Sequence, residues 1–430
     1  MGSEGELEGF YRFVGNERVT LEEVTRPHRQ ATVERLRREP EALVLHDTTD
    51  FHFRGEAARA GLGPINVTDQ GFLGHFALAI SADGQRRALG VLGVETWTRQ
   101  DPGPTRLRRG GLPYVQCRAL PSEAERWPRL VDAVIAEVGA ATSLIHVMDS
   151  EADDYRLLSC LVEKGQRWVV RFRYDRMLAT ELLPPDAPRK TRAFVARREV
   201  VCRRTVTLAK RRAGTRRPQR RTLPREQREA QLEFRSARVV LPRPAHCAEG
   251  APTLTVNVVA VTETGAPPEV EPVAWLLVTS EPIDSEEEIL RVVDYYRARW
   301  VIEEYFKALK TGCAFEKRQL ESGEALRRAL GIFIPIAWQL LRLRGLCRHA
   351  PAAPAEQLLT TVQVEVLRRD RRCHVAAQPT VREAFLAIAR LGGHLRSNGE
   401  PGWQVLGRGY VELLTLEAGF RLALTPGCDQ

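Results

Sequence analysis

The sequence lacks paired cysteines, a long hydrophobic run and a leader-like N-terminus. Its eight cysteines lie singly between Cys117 and Cys428, with no Cys-x-x-Cys pair, which is typical of reduced thiols in a cytosolic protein. The longest apolar stretch, Ala329 to Leu341, covers about 13 residues and contains Pro335. It is too short to span a bilayer, so we expect a buried helix. The acidic start has no apolar run after it, so no signal peptide is visible and a cytoplasmic location without membrane contact is expected.

Positive charge is concentrated in one segment of the chain. The 430 residues carry a net charge of +9, and their 43% hydrophobic and 28% charged content is that of a soluble globular protein. Between Arg189 and Arg228 there are 16 Lys and Arg against two acids, a net of +14, which leaves the rest of the chain near −5. This basic segment is either a solvated loop or a surface for nucleic-acid phosphates. Its candidate DNA-binding residues are Lys210, Arg211, Arg212, Arg216 and Arg217.

The order of apolar runs predicts a mixed α/β core. Ala42–Asp47, Phe76–Ile80 and Ala88–Val94 read as strands, with a hairpin turn at Ala82–Gly84 between the last two. A helix, a strand, a second helix and a second strand follow; their predicted ranges are Pro128–Val138, Ser143–Met148, Asp153–Lys164 and Trp168–Arg171. This order is expected for the first part of a ribonuclease H-like domain.

The remaining patterns divide the chain into five predicted regions. Residues 1–40 read as a helical N-terminal remnant and 41–180 as the first part of the core. Residues 181–272 contain prolines, the basic segment and strand-like runs, and read as a β-rich insertion. Residues 273–315 return to the core, and 316–430 are mainly helical.

One predicted helix carries a stripe of polar residues. Ser285–Glu288 forms a capping signal for a helix that continues to about Thr311. At about 100° per residue, Tyr296, Arg299, Glu303 and Lys310 fall in a stripe about 60° wide and roughly 21 Å long. A solvated helix face would also hold such residues. The stripe nevertheless suits a nucleic-acid backbone, with cations and a phenol for phosphates and a carboxylate for a metal.

Two further acids follow apolar strands. Asp47 and Asp149 each come straight off an apolar run, and with Glu303 they provide three hard oxygen donors, the ligand type of Mg²⁺. Two such ions can clamp the attacking and leaving oxygens of a phosphoryl displacement. Each aspartate could instead be a simple turn former. Asp50 is the fallback for Asp47, and Asp149 is preferred over Asp153.

The spacing Tyr296-x₂-Arg299-x₃-Glu303-x₆-Lys310 resembles the Tyr-Arg-Glu-Lys signature of the insertion-sequence-four family of cut-and-paste DDE transposases. Asp47-Thr48-Thr49 is similar to the first-carboxylate motif of that family. Asp149–Asp153 resembles the second, with Ser150 where Arg is more usual. Similar short sequence motifs elsewhere extend the resemblance over nearly the whole chain.

The resemblance implies a ribonuclease H-like core interrupted by a β-insertion, with C-terminal helices that pair two subunits as a homodimer on double-stranded DNA. Asp47, Asp149 and Glu303 would be the catalytic ligands of two Mg²⁺ ions, for which Mn²⁺ can substitute. Tyr296, Arg299, Lys310 and Arg171 would hold phosphates. Trp275 would stack on a displaced base, although a core tryptophan in an apolar strand would look the same.

The chain departs from this family at its start. In this sequence the motif Tyr11-Arg12-Phe13 is similar to one found in the family. Relatives carry, before that motif, a helical domain that binds the transposon end, whereas here Tyr11 comes almost at once. A start codon assigned too late, a decayed element and a natural short form are alternative explanations. Two hypotheses follow: an active transposase, or a catalytically silent form that binds DNA and pairs with full-length subunits as an inhibitor.

Overall fold

The computed structural model describes residues 4–55, 58–65, 69–99, 123–139, 142–180, 183–210 and 226–424. The chain divides into two compact units. Unit 1 consists of Met1–Ser143 and Trp300–Gln430, and unit 2 consists of Leu144–Arg299. The predicted fold class is confirmed: the protein is a mixed α/β structure with a large mixed sheet and a helical C-terminal region. The bounds of the five predicted regions stay a prediction.

Unit 1 is built on an antiparallel meander. Strands β1 (Glu41–Phe53), β3 (Gln70–Ser81) and β4 (Ala88–Trp97) pair in that order, with the short β2 (Gly63–Pro64) also on β3. β1 is longer than the sequence suggested, since its pairing continues past Asp47 to Phe53 opposite Gln70. The extension is held by five phenylalanine rings whose centroids lie between 5.1 and 6.5 Å apart: Phe51, Phe53, Phe72, Phe76 and Phe315. Asp47 is therefore within a strand and not at its end.

Helices pack around this meander. In chain order they are α1 (Glu4–Gly15), α2 (Leu21–Leu36) and α3 (Arg126–Val138). α2 approaches β4 so closely that a Cβ on Gly90 would lie 2.0 Å from Thr32 Oγ1, and the φ of Gly90 is +150°. Only glycine fits that crossing without displacing Thr32. The close contact fixes α2 against the sheet.

Unit 2 is a six-stranded mixed sheet in the order β5-β6-β10-β9-β8-β7 among the described residues. The strands are β5 (Ser143–Met148), β6 (Arg167–Arg171), β7 (Cys202–Leu208), β8 (Arg228–Pro242), β9 (Thr253–Thr264) and β10 (Ala274–Thr279). β5 and β6 are parallel, and the other pairs are antiparallel. The region predicted as an insertion is β-rich, as expected. Its strands are not a separate layer, because β9 pairs with β10 and extends the sheet that carries β6.

The described part of unit 2 contains the helices α4 (Tyr155–Glu163), α5 (Thr191–Ala196) and α6 (Glu286–Ala298). The predicted capping signal of α6 is confirmed. The Ser285 hydroxyl accepts the Glu288 N–H, and the Glu288 carboxylate accepts the Ser285 N–H at 3.1 Å. α6 packs against β6 and β9.

The prediction of one continuous helix from Ser285–Glu288 to about Thr311 is wrong. α6 ends at Ala298, a turn follows at Arg299, and α7 (Trp300–Lys307) leads into a π-helical turn at Ala308–Gly312. The Arg299 N–H bonds back three residues to the Tyr296 carbonyl at 3.1 Å, which tightens the chain there. The stripe angle computed for Lys310 does not hold, because a π-turn advances less per residue than an α-helix.

The C-terminal part of unit 1 is helical, as predicted. It contains α8 (Gly323–His349), α9 (Thr361–Arg369), α10 (Val381–Leu391) and α11 (Trp403–Leu424). A Cβ on Gly407 would lie 1.9 Å from the Gly312 carbonyl oxygen, so α11 packs directly on the π-helical turn. Within the described residues, α8 is the one helix that passes a length-and-composition test for a membrane span. A core helix passes the same test, and 44% of that window is buried in the fold.

Candidate active site

Five of the predicted site residues lie together in unit 2. Tyr296 on α6 is 7% exposed, and its ring meets that of Trp275 on β10 edge to face at 5.4 Å. Arg171, at the end of β6, lies close enough to the Tyr296 hydroxyl for its positive charge to act on that group. Burial raises the pKa of Tyr296; Arg171 and Arg299 oppose this rise and the Asp149 carboxylate adds to it. We call Asp149, Arg171, Trp275, Tyr296 and Arg299 the Tyr296 cluster.

Asp149 is the half-buried acid of this cluster. It follows β5 and begins a 3₁₀ turn over Ser150–Ala152, and its carboxylate accepts the Glu151 N–H at 2.8 Å. This bond uses one oxygen as a helix cap. Among the described residues, no ion pair joins Asp149 to a lysine or arginine within 4.0 Å.

Asp153, four residues later, has a structural role. Its side chain is fully buried and accepts the backbone N–H groups of Arg173 and Tyr174, each at 2.8 Å. The Arg176 guanidinium donates to it as well, with Nε at 2.9 Å. All of its oxygens are thus used to hold the loop that follows β6. Sequence reasoning did not identify Arg176, because nothing local marks it as the partner of Asp153.

Asp47 lies on β1 in unit 1, half-buried and opposite Phe76 of β3. Its carboxylate accepts the Thr48 N–H at 2.8 Å. The Thr48 hydroxyl in turn contacts His75 Nδ1 at 2.9 Å and accepts from Arg126 Nε at 3.2 Å. Burial, followed by the nearby Arg126 charge, holds the pKa of His75 well below its usual value. A neutral histidine and a cation therefore stand beside the strand segment that presents Asp47.

Glu303 and Lys310 come from the chain that packs against this strand. Glu303 is half-buried on α7, and α7 contacts β1. Lys310 lies in the π-helical turn and donates to the Asp50 backbone carbonyl. Its Nζ also lies 3.2 Å from Asp50 Oδ1 and 3.7 Å from Glu316 Oε1. In this structure the Lys310 ammonium is bound to the strand of Asp47, and its phosphate-binding role stays a prediction.

Asp50 is strongly affected by these neighbours. Burial raises its pKa, but Lys310 and His52 outweigh burial and lower it to about 2. Asp50 is thus an ionised partner of Lys310 at neutral pH. A carboxylate engaged in this way is a weaker candidate for a metal ligand than Asp47.

The basic segment is partly neutralised where the structure describes it. Arg203 pairs with Glu233 at 3.0 Å, and Arg204 pairs with Asp294 at 2.9 Å. Lys210, one of the predicted DNA-binding residues, pairs with Glu226 at 2.9 Å on the surface. The other four, Arg211, Arg212, Arg216 and Arg217, lie outside the described residues. The full local charge of +14 is therefore not all available to a ligand.

The predicted metal ligands fit a divalent ion by donor type. Asp47, Asp149 and Glu303 are half-buried carboxylates, and hard oxygen donors are what Mg²⁺ prefers. Over the described ranges, however, no three or more His, Cys, Asp or Glu side chains are grouped closely enough to hold a metal ion. The donor set is therefore chemically suitable, and its assembly into one site stays a prediction.

Comparison with known families now adds an independent finding. The family model of the transposase DDE domain matches residues 116–335, just over half of the 430 residues. The chain belongs to the DDE transposase family. The matched range of this transposase contains Asp149, Glu303, Lys310 and the rest of the Tyr296 cluster, whereas Asp47 precedes it. Membership makes the protein a DNA-acting transposase, and DDE transposases generally use divalent metals.

Proposed function

We propose that this chain is an active cut-and-paste transposase of the insertion-sequence-four type, with Asp47, Asp149 and Glu303 as its catalytic carboxylates. The observation that carries the proposal is the Tyr296 cluster. It combines a half-buried carboxylate, two arginines and two aromatic rings from four separate elements of unit 2. That combination suits a DNA phosphate: guanidinium groups match its geometry, and a carboxylate can hold a divalent ion beside it.

Each residue of the cluster then has a role. Arg171 and Arg299 would bind the non-bridging oxygens of the scissile phosphate, and the nearby Tyr296 hydroxyl would orient the Arg171 guanidinium. Asp47, Asp149 and Glu303 would hold two Mg²⁺ ions, for which Mn²⁺ would substitute. Bound divalent ions neutralise charge on the phosphate and lower the pKa of water. Trp275 would support a displaced base by stacking.

The proposed reaction needs no covalent protein intermediate. Water attacks the phosphorus at the transposon end, the P–O3′ bond breaks, and the departing 3′ oxygen takes up a proton. The free 3′-hydroxyl then loses its proton and attacks the phosphorus of the opposite strand. The bond from that phosphorus to the 3′ oxygen of the flanking DNA breaks, the flanking DNA leaves with a 3′-hydroxyl, and the transposon end is closed as a hairpin. A second water opens the hairpin, and the regenerated 3′-hydroxyl attacks target DNA in the same way. In each step one P–O bond breaks and another forms, with water or a 3′-hydroxyl as the attacking group.

The partners follow from this reaction. The DNA is double-stranded at transposon ends and at the target, and the basic segment would add contacts to its backbone. Two copies of the chain would pair through the C-terminal helices, so that two ends are joined in one complex. In this scheme the protein works in the bacterial cytoplasm and associates with the nucleoid when it is bound to DNA.

A strand-cleavage assay on the element's own ends tests the proposal. Wild-type protein should cut with Mg²⁺ or Mn²⁺ and lose cutting in EDTA. Asp47→Ala, Asp149→Ala and Glu303→Ala should each abolish cutting while DNA binding is retained. Cutting at the wild-type rate by any of these variants would remove that residue from the catalytic set. A wild-type protein that binds the ends but never cuts would favour the silent inhibitor instead.

A further inference from the structure

A cavity in unit 1 lies outside the candidate active site. Its volume is about 550 Å³, it is partly open to solvent, and it is lined by the end of α2, the β3–β4 turn, α7, α8 and the loop after α8. Trp300 and Glu304 of α7 line it. Glu303 points about 100° away from Glu304 around that helix, so the cavity and Glu303 occupy different faces.

The lining of this cavity is strongly basic. It contains six arginines against two glutamates, a formal net of +4: Arg35, Arg38, Arg86, Arg87, Arg342 and Arg348 against Glu39 and Glu304. The two acids are already matched. Arg87 Nη2 lies 3.0 Å from Glu39, and Arg348 Nη1 lies 2.7 Å from Glu304. Arg35, Arg38 and Arg342 are not part of these two pairs.

Two of these arginines are held in place by neutral groups. The guanidinium carbons of Arg35 and Arg342 lie 4.2 and 4.8 Å from the centre of the same ring, Trp338. Arg35 Nε donates to the Leu89 carbonyl at 2.6 Å, and Arg342 Nη1 donates to Gln339 Oε1 at 3.0 Å. Within the described part of the chain, Arg35, Arg38 and Arg342 have no carboxylate within ion-pair distance. Two half-buried cations thus share one indole ring without an anion.

This arrangement is unfavourable unless an anion enters. Burial, with repulsion from Arg342 and Arg38, lowers the pKa of Arg35 to about 10. Burial likewise lowers the pKa of Arg342. Guanidinium groups fixed at a cavity wall are suited to bidentate binding of phosphate oxygens. The cavity volume of about 550 Å³ is also larger than one phosphate group requires.

We propose that this arginine cavity binds an oligophosphate through Arg35, Arg38 and Arg342, as a second anion site separate from the candidate active site. The phosphates could be those of a free di- or triphosphate or adjacent phosphodiesters of a DNA strand. Both sources present the same oxygens to the same guanidinium groups.

The test uses the full chain and three variants. Arg38→Gln changes an exposed cavity arginine that has no ion pair, and Arg342→Gln changes a half-buried one. Arg408→Gln is the matched control, because Arg408 is exposed on α11 and does not line the cavity. Thermal unfolding of each variant checks the fold. Should Arg342→Gln unfold, the exposed Arg38→Gln still decides the outcome.

Calorimetric titration with tripolyphosphate at constant ionic strength forms the first arm. The second arm measures duplex DNA binding against salt concentration. If the natural ligand is a free di- or triphosphate, the cavity variants should bind tripolyphosphate roughly tenfold more weakly than wild type and should bind DNA equally well. A DNA source also predicts a salt slope that falls by about 0.9 for each lost phosphate contact. If both cavity variants match wild type in both arms, or if Arg408→Gln shows the same losses, the proposal is overturned.

Discussion

Asp149 and Asp153 follow β5 in unit 2, whereas Asp47 and Asp50 lie on β1 in unit 1. In both regions one acid of the two is taken by a structural cation, Arg176 for Asp153 and Lys310 for Asp50. The difference lies in burial. The Asp153 side chain is fully buried, while that of Asp50 is 39% exposed. In each region one of two neighbouring acids is therefore a structural residue and the other a catalytic candidate, and the distinction is clearer in unit 2 because Asp153 is fully buried.

The largest effect is expected at Asp149. Asp149→Asn keeps the shape of the side chain and its bond from the Glu151 N–H but removes the charge that would hold a divalent ion. Cleavage of transposon-end DNA should fall by about a thousandfold or more, because several kcal/mol of transition-state stabilisation would be lost. Single-turnover cleavage measures this, and unfolding in urea should be unchanged. A variant that cuts normally would reverse the assignment of the two acids in unit 2.

Asp153→Asn should have the second-largest effect, and on stability. The change leaves the buried Arg176 guanidinium without its counter-charge, and breaking a buried pair costs about 3 kcal/mol. Urea unfolding followed by circular dichroism measures the loss. Arg176→Gln is the matched partner change, and the double variant should cost less than the sum of the two. Independent, additive losses would show that the pair is not the unit that holds this loop.

Part of the fold could be predicted from the amino-acid sequence, and part of it could not. The apolar runs located β1, β3, β4, β5 and β6, because the burial pattern of a strand is local. The extension of β1 to Phe53 depends on distant phenylalanine rings, and the break at Arg299 and the π-helical turn depend on packing, including the contact of Gly407 with Gly312. Tertiary packing of this kind leaves no local signal.

For the site, the sequence indicated one group of residues that lie together, and their catalytic and DNA-binding roles stay a prediction. The residues of the Tyr296 cluster were singled out from the resemblance and from the ends of strands, and the structure brings all five together. Arg176, His75 and the cavity arginines were not found in advance. Arg176 and His75 lie on different elements from the aspartates near them, and the cavity arginines come from several elements. Spacing along the chain therefore does not reveal these groups.

Tyr296→Phe should produce an intermediate effect. It removes the hydroxyl near Arg171 while leaving the ring against Trp275. If a hydrogen bond from Arg171 to this hydroxyl orients the guanidinium toward a phosphate, cleavage should fall about tenfold, the usual cost of one hydrogen bond to a charged group. Tyr174→Phe serves as the control, because it removes an exposed tyrosine hydroxyl outside the Tyr296 cluster. Equal cleavage by Tyr296→Phe and wild type would show that the unit 2 cluster is structural at this position.

Asp50→Asn should have the smallest effect. Because the Asp50 side chain is 39% exposed, its pair with Lys310 should contribute about 0.5–1 kcal/mol at pH 7. The folded-state pKa of about 2 is below the ordinary value of 3.8, so this stability is present above pH 3.8 and is lost as the pH falls through 2. Urea unfolding between pH 7 and 3 should show the difference from wild type shrinking from about pH 4 downward. A difference that stays constant with pH would mean that the charge of Asp50 is not what Lys310 binds.

The central claim is that Asp47, Asp149 and Glu303 hold divalent ions together. Electron paramagnetic resonance titration with Mn²⁺, on protein bound to a short DNA duplex, counts bound ions without relying on activity. Asp47→Asn, Asp149→Asn and Glu303→Gln should each lose bound Mn²⁺, and Asp153→Asn should retain it as long as it folds. Full Mn²⁺ binding by any one of the first three variants would contradict the account.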